Sequence, residues 1–474
     1  MIYNDSLATL TDLYQLTMAY GYWKNKCHEE QAHFNLFFRK APAGGNFAIA
    51  AGLGPVISLL SNYGFTEGDI VYLSTLKSSN GSPLFEKDFL DYLFYMEFNC
   101  SVSAVPEGTV VFPNEPLLTI SGPIIQCQLL ETALLNIINF QTLIATKAAH
   151  IMKAANGDKV SEFGLRRAQG IDGGLAASRA AFIGGCDSTS NTMAGKIYGI
   201  PVVGTHAHSW VMSFDSELEA FRAYASAMPD NCVFLVDTYN VEQGVRNAII
   251  VGQELRKTGH EMKGIRLDSG DLAKLSIMAR KMLDEAGFPN CKIVASNDLD
   301  ENAIIDLKAK GARIDMWGIG TKLVTSYDQP ALGGVYKLGA IKTGFGWERK
   351  IKLSADKEKV TNPGKLNVLR YFDENGFLGD KIIDTIDPEA YHDSDPIITP
   401  EGAVQISSSI HSEILLYDVF IDGKLNFPIP SIFDAQKRTK EQIAKFDFDK
   451  KCAVGVSTWV EFFKQKLMRK MNHD

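Results

Sequence analysis

The sequence lacks a long apolar run and an excess of basic residues, the two features that would indicate a membrane protein or a general nucleic-acid binder. No apolar run is long enough to cross a bilayer, since even residues 41–60 contain proline, asparagine and several glycines. Basic residues are not in excess: the formal net charge is −8, which disfavours a general nucleic-acid binder because phosphate contacts need a basic surface. We therefore expect neither a membrane nor a nucleic acid as a partner.

Cysteine is also scarce. The 7 cysteines of the 474-residue chain are scattered and form neither a Cys-X-X-Cys pair nor a metal-like cluster, which is typical of a reducing compartment. Residues 1–10 lack a basic segment followed by an apolar one, so we do not expect a secretory signal. These observations predict a cytoplasmic enzyme, and the length predicts two or three domains.

The hydrophobic pattern divides the chain into three stretches. Residues 1–126 have a mixed α+β pattern, and an apolar linking helix is predicted over residues 127–155. Residues 156–335 alternate strands with helices. Residues 336–474 are β-rich, with a hairpin signal at Asn375-Gly376, and we expect part of this stretch to complete the N-terminal domain.

The alternation in the middle stretch indicates parallel β/α units with a covered sheet. Six candidate strands share a near-continuous apolar character: Val160–Phe163, Val202–Thr205, Val233–Asp237, Gly264–Asp268, Lys292–Ser296 and Met316–Gly320. Polar residues gather just past the strand ends. A β/α barrel would bring all of them to one face, whereas a doubly wound sheet would scatter several of them. So many polar strand ends favour the barrel, in an irregular form.

One strand end carries two histidines, in the segment Gly204-Thr205-His206-Ala207-His208-Ser209-Trp210. Within an extended segment, His206 and His208 would point the same way. Histidine suits proton or phosphoryl chemistry near neutral pH. Taken alone, such a pair is more often two hydrogen-bonded structural histidines at a strand end, so its weight depends on the residues elsewhere in the chain.

Other strand ends carry arginines and carboxylates. Arg166, Arg167 and Arg266 offer guanidinium forks that match carboxylate and phosphate oxygens, which suggests an anionic ligand. Taken alone, the pair Arg166-Arg167 is more often a solvated turn. The carboxylates of the segment 268–271 suit a ribose diol or Mg²⁺, although Ser269 or Asp271 could instead cap the next helix.

A glycine-rich turn, Gly318-Ile319-Gly320-Thr321, follows the last candidate strand of the middle stretch. Its backbone N–H groups could hold a phosphate. As an isolated motif it is common, so its weight comes from the residues at the other strand ends.

Taken together, these residues resemble the nicotinate phosphoribosyltransferase family over almost the whole chain. The motifs that carry the resemblance keep a common order and spacing: residues 11–18 (TDLYQLTM), 162–170 (EFGLRRAQG), 184–191 (GGCDSTSN), 204–210 (GTHAHSW), 235–239 (LVDTY), 266–272 (RLDSGDL), 295–299 (ASNDL), 318–321 (GIGT), 332–338 (LGGVYKL), 352–354 (KLS) and 362–365 (NPGK).

The resemblance implies a type II phosphoribosyltransferase fold. It has an irregular α/β barrel, an N-terminal α+β open-faced sandwich shared with later strands, and a homodimer with composite active sites. It also implies an ATP-dependent ligase of NAD biosynthesis. Such an enzyme makes nicotinate mononucleotide and pyrophosphate from nicotinate and phosphoribosyl pyrophosphate, with ATP hydrolysis coupled through a phosphohistidine.

The resemblance further implies roles for individual residues. His208 would be the phosphohistidine and would act with Asp268 and Arg266. Tyr14, supplied by the second subunit, and Phe163 would sandwich the pyridine ring. The remaining implied contacts to substrate or Mg²⁺ come from the other strand ends: Arg166, Arg167, Thr205, Ser209, Asp237, Ser269, Gly270, Asp271, Asn297, Gly318, Gly320 and Thr321. Asp268 and Asp271 are the implied Mg²⁺ ligands.

Three alternatives remain from the sequence. Quinolinate phosphoribosyltransferase shares the fold type but lacks a phosphohistidine, and the Ala-His-Ser step at 207–209 and the length of this chain argue against it. A nicotinamide phosphoribosyltransferase would not need the same arginine-rich pocket. A catalytically silent nicotinate-binding protein would not need His208 or Asp268. Cys452 stands alone where some family members carry a metal knuckle, so we expect no zinc.

Overall fold

The computed structural model describes residues 6–374, 376–390, 392, 394–406, 411–429, 431–446 and 453–471. Contacts group the chain into two compact units. The first unit is Met1–Leu143 with Ala331–Asp474, and the second is Ile144–Pro330. The sequence-based boundaries at residues 126, 155 and 335 stay predictions.

The N-terminal part of the first unit mixes helices and strands, as its sequence predicts. Its elements are α1 (Leu13–Lys24), β1 (Gln31–Phe38), β2 (Ala48–Ile49), α2 (Leu53–Ser61), α3 (Glu67–Thr75), α4 (Lys87–Tyr95), β3 (Ser101–Ala104), β4 (Val110–Val111), β5 (Pro116–Pro123), α5 (Ile124–Leu129) and α6 (Glu131–Ala155). The helix predicted over residues 127–155 is in fact two helices, α5 and α6, which meet at Leu130.

The second unit alternates strands and helices. Its elements after α6 are β6 (Lys159–Glu162), α7 (Gly170–Ile183), β7 (Ser188–Thr189), α8 (Thr192–Tyr198), α9 (His208–Met212), α10 (Glu217–Ala227), β8 (Val233–Leu235), α11 (Val241–Lys257), β9 (Gly264–Leu267), α12 (Leu272–Glu285), β10 (Lys292–Ala295), α13 (Glu301–Ala309), β11 (Met316–Ile319) and α14 (Thr321–Val324).

The chain then returns to the first unit with a β-rich part. Its elements are β12 (Gly334–Thr343), β13 (Gly346–Arg349), β14 (Leu366–Asp373), β15 (Gly376–Asp384), β16 (Ile397–Thr399), β17 (Gly402–Val404), β18 (His411–Ile414), β19 (Tyr417–Ile421), β20 (Lys424–Leu425), α15 (Ile432–Lys445), β21 (Ala453–Val456) and α16 (Thr458–Met471). The predicted hairpin is β14–β15; Asn375 and Cys452 lie outside the described residues.

The main sheet of the first unit has seven strands in the order β13-β12-β1-β5-β3-β19-β20. β1 lies inside the sheet and pairs antiparallel with both β5 and β12. Alternate side chains of β1, namely Phe34, Leu36 and Phe38, join an apolar core that also contains residues of α2, α4 and α6. Strands from the end of the chain therefore complete an N-terminal open-faced sandwich, which confirms this part of the predicted fold class.

A second sheet of the first unit, in the order β17-β16-β21-β15-β14-β18, contains a buried ion pair. Arg370 of β14 and Asp380 of β15 are fully buried, and their Nη2 and Oδ2 atoms are 2.5 Å apart. Glu115 is buried beside Asp380. Burial, followed by the charge of Asp380, raises the pKa of Glu115 well above its usual range. The raised pKa favours the protonated form of Glu115, which avoids two adjacent buried anions.

The second unit is built on a parallel sheet in the order β7-β6-β11-β10-β9-β8. Val202 adds a single parallel bridge to Thr189 of β7. The strand predicted over Val202–Thr205 is reduced to this bridge, because the chain leaves the sheet after Val203. Helices and strands alternate in the β/α order that the sequence predicts. Within Ile144–Pro330, however, the strands form an open parallel sheet and do not close into a barrel, because β7 and β8 do not pair.

Several helices of the second unit begin at polar residues, most of which follow a strand. The N-terminal caps are Ser216 for α10, Asn240 for α11, Asp271 for α12 and Asp300 for α13, and each side chain accepts a backbone N–H of the first helical turn. The polar residues past the strands therefore divide into helix caps and groups that remain available for chemistry. No helix within the described ranges is long and apolar enough to cross a membrane.

Candidate active site

The strands of the second unit run parallel, so their carboxyl ends lie at one edge of the sheet. The sequence-predicted residues Phe163, Asp237, Asp268, Asn297 and Gly320 follow β6, β8, β9, β10 and β11, respectively. The structure thus brings the predicted strand-end groups of five different strands to the same edge.

His208 is the first residue of α9, and it is fixed through one ring nitrogen. Its Nδ1 lies 3.1 Å from Oγ1 of Thr238, just past β8. Its Nε2 lies 3.9 Å from Oδ2 of Asp268, just past β9. Its side chain is 42 % exposed. The imidazole is therefore oriented by Thr238, and Nε2 faces a carboxylate at an open position.

His206 has a different environment, contrary to the expectation that both histidines point the same way. It is 7 % exposed, and its Nε2 accepts the N–H of Leu235 in β8 at 3.2 Å. Burial lowers the pKa of His206 to about 4, so the ring is neutral near pH 7. The two rings diverge because the backbone enters α9 at His208.

Arg266 is the buried cation of the site, with a side-chain exposure of 16 %. One Nη donates to Oγ1 of Thr205 at 2.6 Å, and the other lies 3.9 Å from Oδ2 of Asp268. Its Nε is buried and has no hydrogen-bond partner among the described residues. Burial lowers the pKa of Arg266, and Asp268 and Asp237 oppose this shift. A buried, unpaired N–H of this kind is costly unless a ligand accepts it.

Two carboxylates lock the ends of neighbouring strands together. Oδ2 of Asp237 accepts the backbone N–H of Asp268 at 3.0 Å and the hydroxyl of Ser269 at 2.6 Å. The hydroxyl of Ser296 donates to Oδ1 of Asp268. Oδ1 of Asp237 is buried without a partner in the described part of the chain. Two carboxylate oxygens, Oδ1 of Asp237 and Oδ2 of Asp268, are thus left for a cation or a hydroxyl-bearing substrate.

The ring of Phe163 lies close to Gly318 of the neighbouring strand β11. A Cβ added at Gly318 would lie 2.6 Å from Cδ2 and 2.7 Å from Cε2 of the Phe163 ring. The N–H of Phe163 also donates to the carbonyl of Ile319 at 2.7 Å. Any side chain at position 318 would clash with the ring in this position, so Gly318 provides the space that the Phe163 ring occupies.

Glu162, to which the sequence analysis assigned no role, anchors the loop after β6. Its buried carboxylate accepts hydrogen bonds from the Gly164 N–H, from the Ser178 hydroxyl at 2.8 Å and from the Thr189 hydroxyl at 2.6 Å. A glutamate that ends an apolar strand was the available sequence signal. Thr238 and Ser296 are among the polar residues predicted to follow the strands, but they had no assigned role, since neither hydroxyl identifies its partner in the sequence.

The arginines after β6 lie in an exposed 3₁₀ turn, Leu165–Arg167. The charge of Arg166 contributes to the lowered pKa of Arg266, although less than burial does. Arg166 and Arg266 therefore add to one positive potential at the strand ends. Such a potential favours an anionic substrate.

Other predicted residues have fewer contacts or different ones. Asp271 caps α12 through the Lys274 N–H and forms an ion pair with the Lys274 ammonium at 3.1 Å, as the helix-cap alternative anticipated. Ser209 is exposed, in the first turn of α9. Asn297 is exposed with φ 100°, and Gly270 has φ 79°. Gly320 caps α14, and Thr321 is the first residue of that helix.

Tyr14 belongs to the first unit, where it is the second residue of α1 and is 51 % exposed. Burial of part of the ring, followed by the charges of Glu131 and Asp12, raises the pKa of its phenol. Asp12 accepts the Thr132 hydroxyl at 2.7 Å, which ties the start of α1 to α6. An exposed tyrosine at a fixed helix start is available to a second molecule.

Comparison with known proteins places these features in a family. Residues 9–139 match the nicotinate phosphoribosyltransferase N-terminal domain, and residues 159–369 match the nicotinate phosphoribosyltransferase family. The nicotinate phosphoribosyltransferase of Bacillus subtilis is 49 % identical over 374 residues, which cover 78 % of this chain and 74 % of the relative. The human nicotinate phosphoribosyltransferase is 35 % identical over 494 residues, covering 92 % and 90 % of the two chains.

Solved structures agree with these matches. The crystal structure of human nicotinic acid phosphoribosyltransferase superimposes with a TM-score of 0.83 at 31 % identity, covering 96 % of this chain and 99 % of that chain. The nicotinate-nucleotide pyrophosphorylase of Pyrococcus furiosus gives a TM-score of 0.70 at 21 % identity, over 94 % and 96 % of the two chains. At that identity the second likeness concerns the fold alone.

Proposed function

Since this chain belongs to the nicotinate phosphoribosyltransferase family and has the activity of that family, we propose that ATP drives its reaction through a phosphate carried on His208. The single observation that supports this proposal is the way in which the imidazole is held. Nδ1 meets the Thr238 hydroxyl, and Nε2 faces the open strand-end edge beside Asp268.

In the proposed phosphorylation, the Nδ1–H group of His208 donates a hydrogen bond to the hydroxyl oxygen of Thr238, so Nε2 carries the lone pair. Nε2 attacks the γ-phosphorus of ATP, an N–P bond forms, the P–O bond to ADP breaks, and ADP leaves. Water later attacks the phosphorus, which releases inorganic phosphate and restores the imidazole. The phosphoryl group adds negative charge and acceptor oxygens, which can order the surrounding loops while the substrates are bound.

In the proposed transfer, the ring nitrogen of nicotinate bonds to C1 of the phosphoribosyl group while the C1–O bond to pyrophosphate breaks. Positive charge develops at C1, so positioning and charge stabilisation supply most of the rate. Arg266, together with Arg166 or Arg167, would hold the nicotinate carboxylate. The unpaired Nε of Arg266 supports this role, because a buried N–H needs an acceptor.

The pyridine ring would lie on Phe163, which Gly318 holds in place. We also propose that Tyr14 of a second subunit covers the other side of the ring, so that the enzyme is a homodimer with shared active sites. The exposure of Tyr14 in the first unit supports this arrangement. The selection of an acid over the neutral nicotinamide follows from the arginines, since a charge-assisted bond needs a carboxylate.

Phosphoribosyl pyrophosphate and Mg²⁺ would occupy the carboxylate side of the site. Oδ1 of Asp237 has no hydrogen-bond partner among the described residues, and Oδ2 of Asp268 has only the two 3.9 Å contacts to His208 and Arg266. Carboxylate oxygens are the ligand type that Mg²⁺ prefers together with phosphate oxygens. When bound, Mg²⁺ would neutralise charge on the departing pyrophosphate. Asp271 is less suited to this role, because it caps α12. The residues proposed for further ribose and phosphate contacts are Thr205, Ser209, Ser269, Gly270, Asn297, Gly318, Gly320 and Thr321.

We place this enzyme in the cytoplasm. No disulfide joins the six cysteines in the described part of the chain, which supports a reducing compartment.

A labelling experiment tests the role of His208. Wild type, His208→Ala and a control, His260→Ala, are incubated with γ-labelled ATP, and acid-labile, base-stable label is measured. His260 is a suitable control because it is a surface histidine paired with Asp230 at 2.9 Å, away from the strand ends. We expect label on wild type and the control, and none on His208→Ala. Undiminished label on His208→Ala would contradict the proposal.

A further inference from the structure

The two outermost strands of the parallel sheet of the second unit, β7 and β8, form its lateral edges, and no backbone hydrogen bonds join these two strands. At one edge, the Thr189 N–H donates to the Pro201 carbonyl at 3.0 Å, and the Val203 N–H donates to the Thr189 carbonyl at 3.0 Å. At the other edge lies β8. Within Ile144–Pro330, all of which the structure describes, the pairing therefore runs from residues 201–203 through β7, β6, β11, β10 and β9 to β8, and stops there.

His206 bridges these two edges with its side chain. It lies three residues past Val203, and its Nε2 accepts the Leu235 N–H of β8 at 3.2 Å. A carbonyl of a neighbouring strand would ordinarily accept such an N–H. The ring is buried against Tyr224 and Phe221, at centroid distances of 4.9 and 5.8 Å. The low pKa of His206 keeps the ring neutral, so Nε2 remains an acceptor.

The same two segments carry the groups that orient His208. His206 precedes His208 by two residues, and Leu235 precedes Thr238 by three residues. The segment from 205 to 208 is thus attached at three successive points: Thr205 to Arg266, His206 to Leu235, and His208 to Thr238. Of these attachments, only the one made by His206 is buried between the sheet edge and the aromatic side chains.

We infer that His206 is a positioning residue, which holds the segment 205–208 against β8 so that His208 meets Thr238. The inference goes beyond the proposed phosphohistidine, and its consequences for phosphorylation rest on that proposal. It assigns a specific chemical requirement to position 206: an uncharged hydrogen-bond acceptor at the distance of Nε2. Packing volume alone does not satisfy this requirement.

Two substitutions separate the acceptor from the packing. His206→Phe keeps a ring between the aromatic neighbours but removes the acceptor, whereas His206→Gln keeps an acceptor at a similar reach. His206→Leu replaces the phenylalanine variant if that variant does not fold, as judged by its thermal unfolding midpoint.

Two readouts follow, and one of them needs no ATP. Labelling with [¹³Cε1]histidine gives signals for the 9 histidines, and His208→Ala identifies the signal of His208. The second readout is the initial rate of His208 phosphorylation from γ-labelled ATP, at saturating ATP. We expect His206→Phe to shift the His208 signal and to lower this rate at least about tenfold, and His206→Gln to stay within about threefold of wild type.

The outcomes are distinct. An unchanged His208 signal and rate in His206→Phe would overturn the inference. An equal loss in the phenylalanine and glutamine variants would also overturn it, because the acceptor would then not be the reason. If wild type takes no label, the phosphohistidine proposal fails, and the His208 signal alone decides whether His206 positions that ring.

Discussion

Substituting alanine for Gly318 should damage nicotinate binding by displacing the ring of Phe163, whereas the backbone N–H of residue 318 is kept for its proposed contact. The added Cβ would lie 2.6 Å from Cδ2 of Phe163, whereas ordinary contacts begin near 3.4 Å. The ring must therefore withdraw by roughly 0.8 Å, the difference between these two distances. Backbone movement cannot easily relieve the contact, because β11 pairs with both β6 and β10.

The size of the effect follows from this displacement. A misplacement near 1 Å of a group that orients a substrate costs up to about 100-fold in rate, and overpacking costs about 1–3 kcal/mol in stability. We expect Gly318→Ala to lower kcat/KM for nicotinate by about 10- to 100-fold, mainly through KM. The KM for phosphoribosyl pyrophosphate should change much less, because Phe163 faces the pyridine ring in the proposed site.

Steady-state kinetics with either substrate varied measure this split. Gly173→Ala is the control, because its added Cβ meets no atom within 4 Å. A double-mutant cycle adds a sharper test. In Phe163→Leu the ring is already gone, so adding Gly318→Ala should produce little further loss. Wild-type nicotinate kinetics in Gly318→Ala, or additive losses in the double variant, would refute the proposed Phe163–Gly318 coupling.

Three further predictions concern the subunit arrangement, the carboxylate pocket and the buried acids. Mixing Tyr14→Ala and His208→Ala dimers should restore about a quarter of wild-type activity, since half the dimers are mixed and each has one intact site; no recovery in confirmed heterodimers would place Tyr14 in its own subunit's site. Arg266→Ala should lose about 1.5–3 kcal/mol of nicotinate binding, raising KM for nicotinate more than KM for phosphoribosyl pyrophosphate, and an unchanged nicotinate KM would contradict this role. Because the pKa of Glu115 is raised in the folded state, the folded chain keeps a proton that the unfolded chain releases above the ordinary glutamate pKa of about 4.3. The free energy of unfolding of wild type should therefore fall as the pH rises above that value, relative to that of Glu115→Gln. Asp380→Asn should instead lower the free energy of unfolding, measured in urea, by about 3–5 kcal/mol, because it leaves the buried guanidinium of Arg370 without its carboxylate. Equal free energies of unfolding for Glu115→Gln and Asp380→Asn would contradict the protonation assigned to Glu115.

Local patterns predicted much of the second unit correctly. Apolar runs such as Val233–Leu235 form strands because both faces of a parallel sheet are covered, so successive positions of the strand are apolar. The polar residues after these runs lie where parallel strands end, and their gathering at one edge follows from strand direction alone. The helix-cap role of Asp271 was an open alternative for the same reason, because cap residues have a local signature.

Single contacts over long sequence separations could not be predicted. His206 and His208 differ by two positions, yet one is buried against β8 and the other begins a helix. The Ser296–Asp268 hydrogen bond joins residues 28 apart, and the carboxylate of Glu162 reaches Thr189, 27 residues away. No local pattern encodes such pairs, because each depends on how neighbouring strands are aligned.

The sequence by itself determined the kind of residue present at each strand end, and its ordered motifs determined the family. Residue type and spacing are local properties, which the chain carries before it folds. Tertiary structure alone decided which atoms remain unsatisfied. Among the residues that the structure describes, the Nε of Arg266 and Oδ1 of Asp237 are buried without hydrogen-bond partners, whereas the carboxylate of Asp271 caps a helix. That distinction requires burial and distance, which exist only once the strands have paired and excluded water from around these groups.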